Sequence, residues 1–559
     1  MGEFLVNIFK VIGCLLACFI LASCGGGGVK SSSYSDNSGG NDGTVRVSVS
    51  PAALILPSVG SSATLNAVVA NSSSGVSWST SDSGIVTLSS SHSTQITATA
   101  VANGIAYITA VLDDSPTKLA KIPVYIGASE GVNYVLIYNS AAFNSSYSSV
   151  AESAGTIPAA LSSLNSIMGS VGAINSMPPH TQKVVIRGGQ TYYQMDPHYQ
   201  LPKETVSVRD LALSPLAGSG SRAVDETKSF RIYNYNTSSY AYINAKHHYY
   251  GVYCDVYVEE TASGTLLTQL QAEDVGKKFD NDIRPKINAL FGENDGADPN
   301  KKIAILLEDI RDANYYDRNN KRYTAGYFIA SDASTSVNGA VMIHIDIHPL
   351  MGTEAGSYDV TESYSTIAHE FQHIINNTDS ASNDIWWNEA FSIAAEYLVC
   401  NDTYRVGNYN DDIGNILTNG AVLTYKSYGD NESSISANYG LPFFFGIYLY
   451  TQGGNKVFKS ILSSSYTDYN AIMAGLNNVG YQKAENFSEL NRNFRVAMIK
   501  KEPSGVFGFN GDTVVNGVFP LLNTESTVSL YPTASVVRKV GSVFDRPSNA
   551  GENIEFFFF

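Results

Sequence analysis

Two histidines four residues apart, His369 and His373, enclose Glu370, Phe371 and Gln372. Four residues is a little more than one α-helical turn, so on a helix the two imidazoles share a face with Cβ atoms about 5–6 Å apart, close enough to hold one ion. The flanking residues suit a helix. Ile367, Phe371 and Ile374 form an apolar stripe, and Thr361, Ser363 or Ser365 can cap its start. Glu370 follows the first histidine, which directs its carboxylate at a water over the ion rather than at the ion itself. Histidine and glutamate also meet at this spacing in ordinary helices, so the pattern needs a further ligand to carry weight.

That ligand is found in the next helical run, Trp386-Trp387-Asn388-Glu389-Ala390-Phe391-Ser392-Ile393-Ala394-Ala395-Glu396-Tyr397-Leu398. A catalytic zinc takes three protein ligands and keeps a fourth position for water. An antiparallel helix would deliver Glu389 as the third. Glu396 lies nearly two turns further on, about 10 Å along the axis, so one carboxylate coordinates while the other serves by hydrogen bonding, for instance by orienting His369 or His373. The two segments resemble the gluzincin metallopeptidases, which carry His-Glu-x-x-His followed by an Asn-Glu helix. They are more similar still to the hyicolysin family, in which a His-Glu-Phe/Tyr-Gln-His segment precedes a Trp-x-Asn-Glu helix. The resemblance covers roughly residues 245–500. It implies an α+β zincin-like domain, one catalytic zinc on His369, His373 and Glu389, endopeptidase activity, and Glu370 as general base. It favours Glu389 over Glu396 as the ligand.

Such a mechanism needs a donor for the developing oxyanion. No histidine follows His373, so a downstream histidine of the thermolysin type is absent. Tyr439, in Ser436-Ala437-Asn438-Tyr439-Gly440, is the candidate, with simple packing as the competing reading among 35 tyrosines.

The chain has 559 residues, enough for several domains, and a formal net charge of −16, which disfavours nucleic acid as a partner because no basic excess exists to neutralise phosphates. Lys10 precedes the apolar run Val11–Leu21, and Leu21-Ala22-Ser23-Cys24 resembles the bacterial lipobox. Residues 1–24 therefore read as an export signal, with Cys24 the lipid-bearing residue that anchors the chain to a bacterial membrane, at the outer membrane or cell surface. Residues 25–43, Gly, Ser, Asp and Asn, read as a flexible linker. Residues 44–126 carry short alternating runs broken by turn residues about every ten positions, which argues for an antiparallel sandwich. The runs Val76–Asp82 and Ala102–Ala110 resemble bacterial immunoglobulin-like repeats, whose expected role is that of a spacer. Residues 127–260 read as a β-rich region, residues 261–504 as the catalytic domain, and residues 505–559 as a terminal β element. The run Phe556–Phe559 has no account from the sequence. The fold class expected is thus multidomain: an all-β immunoglobulin-like sandwich, a β-rich region and an α+β metallopeptidase domain.

Other groups have milder readings. Leu270, Val275, Phe279, Ile283, Ile287 and Leu290 give Leu266–Phe291 a helical apolar stripe. His344, Asp346 and His348 share one face of a strand and could bind metal, but the preferred reading is a strand beside the cleft whose backbone pairs with an extended substrate. His247 and His248 read as surface or packing residues on a strand. Asp312, Asn314, Asp317 and Asn319 could ligate calcium, with a solvated turn preferred. Cys254 and Cys400 could pair but are read as structural. Alternatives to a peptidase acting on protein or peptide substrates are a surface adhesin with an inactive peptidase-like domain, which the intact ligand set argues against, and a metal-dependent hydrolase of other substrates.

Overall fold

The computed structural model describes residues 46–50, 54–56, 58–70, 72–126, 133–140, 148–151, 181–195, 197, 201, 225–293, 302–379, 385–406, 435–517, 527–530, 532–540 and 554–559. The expected signal, its Cys24 and the linker lie outside them. The chain divides into two units. Of the first, Met1–Arg46 with Val69–Ser73, only strand ends and Ser72–Ser73 are described; the second, Val47–Val68 with Ser74–Phe559, holds the rest of the described structure.

Alternation dominates the N-terminal part. Strands β1 (Arg46–Ser50), β2 (Leu54–Leu56), β3 (Ser62–Ala70), β4 (Val76–Thr80), β5 (Val86–Leu88), β6 (Gln95–Ala100), β7 (Gly104–Leu112) and β8 (Ser115–Ile126) form two four-stranded sheets, ordered β1-β3-β6-β5 and β2-β8-β7-β4. Along β7 every second side chain is buried (Ala106, Ile108, Ala110, Leu112), the period-2 signature of a half-buried strand. The pairing is not wholly antiparallel, because β2 runs parallel to β8.

Strand β9 (Asn133–Asn139) lies between two strands from the far end of the chain. After β10 (Ser148–Ala151), the hairpin β11 (Thr181–Arg187) and β12 (Gln190–Met195) precedes the main sheet. That sheet uses β13 (Thr227–Asn234), β14 (Ser239–Tyr250), β15 (Cys254–Thr261) with the short β16 (Gly264–Thr265), β17 (Ile303–Glu308), β19 (Gly326–Phe328) and β20 (Met342–Asp346), ordered β13-β14-β15-β17-β20-β19. The remaining short strand, β18 (Arg322–Tyr323), joins β12 instead. The boundary expected between residues 260 and 261 therefore falls inside one sheet, since β15 pairs in parallel with β17. Strands β14 and β15 are separated by a turn at Gly251–Tyr253, where Asp280 accepts hydrogen bonds from the Val252 and Tyr253 amides.

Register fixes the two faces of this sheet. Val256, Ile305 and Ile343 align across three strands, as do Val258, Leu307 and Ile345, and all six enter the main core beneath the helices. Tyr257, Leu306, His344 and Tyr327 align on the opposite face.

Helices α1 (Gln269–Lys278) and α2 (Arg284–Phe291) are joined by a π-helical turn, Phe279–Ile283. The cause is legible in the sequence: Val275, Phe279, Ile283 and Ile287 repeat every four residues and all are buried. On a helix of 3.6 residues per turn such a repeat drifts by about 40° per step, and one wider turn brings it back towards the core. Leu270, expected on this stripe, is instead 72% exposed. After the short α3 (Ala313–Tyr316), helices α4 (Tyr364–Asp379) and α5 (Ile385–Cys400) pack against each other, and α6 (Ile435–Gly453) packs on α5. The last helices are α7 (Val457–Leu462), α8 (Tyr469–Asn478) and α9 (Phe487–Lys500). Among the described residues, no helix is long and apolar enough to cross a membrane.

The terminal run that had no account is a strand. In β23 (Ile554–Phe558), Phe558, Phe557 and Phe556 pair with Val135, Leu136 and Ile137 of β9, whose other side is taken by β22 (Ser535–Val540); β21 (Thr527–Leu530) pairs with β10. Phe557 and Phe558 are buried, so the C-terminal element is completed by residues far upstream.

Helix α4 meets the edge strand β19 at Gly326. A Cβ there would lie 2.8 Å from Thr366 Cγ2, 3.0 Å from the His344 carbonyl oxygen and 3.2 Å from Glu370 Cγ. Gly326→Ala is expected to cost about 1–3 kcal/mol by overpacking, read as a lower denaturation midpoint, and Thr366→Ser should restore part of it by removing the struck methyl. An unchanged midpoint in Gly326→Ala would show that the contact yields freely.

Candidate metal centre

The start of α4 differs from the expected cap. A 3-10 turn, Val360–Ser363, precedes the helix; Asp359 caps it by accepting from the Thr361 amide at 2.9 Å, while the Ser363 hydroxyl donates back to the Val360 carbonyl at 2.6 Å. The turn feeds a helix whose face carries His369, Glu370 and His373, all buried. Helix α5 brings Glu389 to the same place. His369 Nε2 is 3.0 Å from His373 Nε2 and 3.5 Å from Glu389 Oε2, and His373 Nε2 is 3.4 Å from Glu389 Oε1. Ligands at 2.0–2.1 Å in a tetrahedral zinc site are separated by about 3.3 Å. The three residues therefore span one face of such a tetrahedron, and among the described residues no fourth histidine, cysteine or acidic side chain joins the group. They are the one group of suitable side chains so gathered among the described residues.

The other nitrogen of each imidazole is tied behind. His369 Nδ1 donates to Glu396 Oε1 at 2.8 Å. His373 Nδ1 lies 3.0 Å from both Asn388 Oδ1 and Ser392 Oγ. These contacts point both Nε2 atoms at the common centre, the usual duty of groups behind metal-bound histidines. Asn388, Ser392 and Glu396 follow one another every four residues, the spacing that keeps them on the face of α5 turned to α4. The interface continues through Gln372 and Asn376, which hydrogen-bond each other both ways at 2.7 and 2.8 Å; Ser392 donates to Gln372, and Asn376 to Asn388. Burial opposes a charged His369, yet hydrogen bonds to Glu389 and Glu396 carry its pKa up to about 10 when no metal is bound. Glu396 would be raised by burial, but Arg405 and His369 hold it well below the carboxylate range.

The chain is 29% identical over 378 residues to the neutral metalloprotease ShpI of Staphylococcus hyicus, an alignment covering 65% of this chain and 83% of that protein. No family model matches. The relative is, by its name, a metal-dependent protease.

Two tyrosines differ in their relation to the centre. Tyr439 is fully buried, with its ring centroid 5.3 Å from the Arg405 guanidinium that pairs with Glu396. Tyr235, which sequence reasoning passed over, is buried against Tyr233 and Tyr327 just past β13, and its hydroxyl has no hydrogen-bond partner among the described residues. Burial drives that hydroxyl's pKa well up, and among the charges adding to the rise Glu370 comes first. No spacing rule singles out Tyr235, which explains the omission.

The remaining candidates divide between those the structure corrects and those it leaves as packing residues. The substrate-strand reading of His344, Asp346 and His348 fails: β20 is flanked by β17 and β19, so its backbone is already paired and cannot add a substrate strand. His344 is entirely buried, 2.7 Å from Glu308 Oε1 and 3.0 Å from Asp332 Oδ2, with the Tyr327 ring stacked on it at 4.2 Å. Asp346 accepts from the Ile310 and Leu350 amides, and His348 contacts Asn314. In the supposed solvated turn, Asp317 and Asn319 are exposed, but Asp312 and Asn314 are buried; Asp312 accepts from the amides of Asn314, Tyr315 and Thr324. Those Asp312 oxygens are committed to backbone amides, and Asp312 and Asp317 belong to no gathered group of three acidic or histidine side chains among the described residues. His247 and His248 are both buried rather than on the surface, His247 stacked on Tyr257 at 4.7 Å. Cys254 and Cys400 are free thiols.

Burial lowers the affinity of His344 for its proton, but the hydrogen bonds its ring nitrogens donate to Asp332 and Glu308 outweigh it and bring the pKa up to about 9. With the folded value above the ordinary one near 6.5, the stability it contributes is complete below about pH 6.5 and is lost as pH rises through about 9. Nitrogen NMR should show an imidazolium at pH 7.5, with a midpoint near 9 and a parallel fall in unfolding free energy. A midpoint near 6.5 would refute this ionic arrangement.

Proposed function

We propose that the protein is a zinc endopeptidase that hydrolyses extracellular or cell-envelope proteins. The observation that carries the reading is the convergence of His369 Nε2, His373 Nε2 and the Glu389 carboxylate on one centre, with both Nδ1 atoms held from behind. The metalloprotease relative supports the same chemistry. In this reading His369, His373 and Glu389 hold zinc, which supplies Lewis acidity for polarising a substrate carbonyl.

The chain's own residues do the rest. Glu370 is buried on the same helix face, and its Cγ packs at Gly326 of the edge strand. Its carboxylate takes a proton from the attacking water and returns it to the leaving amine. For the hydroxyl that stabilises the oxyanion we choose Tyr235 over Tyr439: its buried hydroxyl has no hydrogen-bond partner among the described residues and feels the charge of Glu370, whereas Tyr439 packs on Arg405. We further assign residues 1–24 as a lipoprotein signal, Cys24 as the lipid anchor to the bacterial envelope, and residues 44–126 as an immunoglobulin-like spacer. The lipobox residues support the first two, and the paired four-stranded sheets support the third.

Purified protein should cleave casein, and a chelator should abolish this. Glu370→Gln should lower kcat by at least about 100-fold while retaining one zinc per chain by elemental analysis; full activity in that variant would sink the proton-transfer role. Tyr235→Phe should lower kcat on the order of 100-fold with KM little changed. If Tyr235→Phe is as active as the wild type and Tyr439→Phe is not, the donor assignment reverses.

A further inference from the structure

Behind His369 stands an ion pair that the metal-binding motif does not call for. Arg405 lies in the helical turn of residues 404–406, beyond the end of α5, and is 1% exposed. Its Nη2 is 2.7 Å from Glu396 Oε1 and its Nε 3.0 Å from Glu396 Oε2, a two-bond fork. Glu396 Oε1 is the same oxygen that accepts from His369 Nδ1. The segment carrying Arg405 is itself fastened to β11: Asp402 caps the Tyr404 amide and ion-pairs with Lys183 at 3.0 Å, and the Tyr404 hydroxyl accepts from the Val184 amide at 2.6 Å.

We propose that Arg405 is a positioning residue for the metal centre. A carboxylate held at one oxygen can turn about its last torsion; one held by the rigid guanidinium fork at both oxygens cannot. Fixing the plane of Glu396 fixes the rotation of the His369 ring, and so the aim of Nε2. A purely structural role is a weaker account. Buried Arg–Glu pairs are commonly replaced by apolar residues without loss of stability, because desolvation offsets most of the attraction. The pair here also stands behind one ligand only. His373 is held by the neutral groups of Asn388 and Ser392, and His369 by the forked carboxylate. The inference rests on reading His369, His373 and Glu389 as a metal site, and is independent of whether the substrate is a peptide.

The test is zinc affinity, measured on the full mature chain by competition with a chromophoric chelator, with the visible spectrum of the cobalt(II)-substituted protein as a second readout. Arg405→Met is expected to weaken zinc binding by roughly 10–100-fold and to shift the cobalt bands. Arg405→Lys, which keeps the charge but not the fork, should fall between. Arg405→Met combined with Glu396→Gln should bind no more weakly than the weaker single variant, since both act through one chain of contacts. Zinc affinity within twofold of wild type in Arg405→Met, or full additivity in the double variant, overturns the proposal. Should Arg405→Met fail to fold, Arg405→Lys decides: weakened zinc binding with unchanged circular dichroism supports the role, and unchanged binding overturns it. Failure of the wild-type chain to bind zinc would instead overturn the metal-site reading beneath it.

Discussion

The contact between α4 and α5 determines nearly everything else about the centre, because its ligands come from both helices and neither helix can form the site alone. The contact is polar where it matters. Gln372, Asn376, Asn388, Ser392 and His373 are hydrogen-bonded to one another across it. Buried polar groups are costly when unpaired, so such a network has few acceptable arrangements. Sliding one helix by a turn, about 5.4 Å, would strand every member. On its other sides α5 is held by apolar packing, with Ala394 against Gly446 of α6 and Phe391 against Phe291 and Phe458, which supplies cohesion and tolerates small slips; the hydrogen bonds set the register.

Beneath this pair, the sheet contributes by what it leaves out. The helices rest on aliphatic rows from β15, β17 and β20, and at the edge strand the row ends in Gly326, opposite Ile345. The missing side chain lets Glu370 approach the strand edge. On the other face His344 of β20 is enclosed between Glu308 of β17 and Asp332 of the 3-10 turn Ala330–Ala333. The alternating polar residues of β20 thus face an internal ionic set, and the period-2 pattern that exposed them in the sequence carries no information about which polar surroundings they meet.

The legible part of this molecule follows from short-range geometry. His369 and His373 meet because of helical spacing, and Glu389 and Glu396 divide their work because seven residues separate them. Of the two histidines that Glu396 could have oriented, the structure pairs it with His369. The four-residue apolar repeat from Val275 to Ile287 announced a helix and, with hindsight, its π turn. What stayed illegible depends on contacts between distant residues. Arg405 comes from a connection after α5, Tyr235 from the far end of β13, and the terminal Phe557 finds its place on β9, more than 400 residues upstream. Spacing rules are silent on all three.

Formal charge accounts for the chemistry these pieces allow. Glu370, Glu389 and Glu396 place three buried carboxylates around two imidazoles. Arg405 offsets Glu396, which leaves two negative charges at the centre itself. A dication balances them. Without one, the site must collect protons, and the upward pull on His369 from Glu389 and Glu396 is the form this takes. Metal and proton therefore compete for the same nitrogen, so metal binding should release a proton and weaken as pH falls. The imbalance also discriminates among occupants. A monovalent ion would leave a buried negative charge uncompensated, and a site with Glu396 unpaired would carry one charge too many for a dication. The arginine that fixes the geometry behind His369 is therefore also the residue that matches the charge of the pocket to a divalent metal.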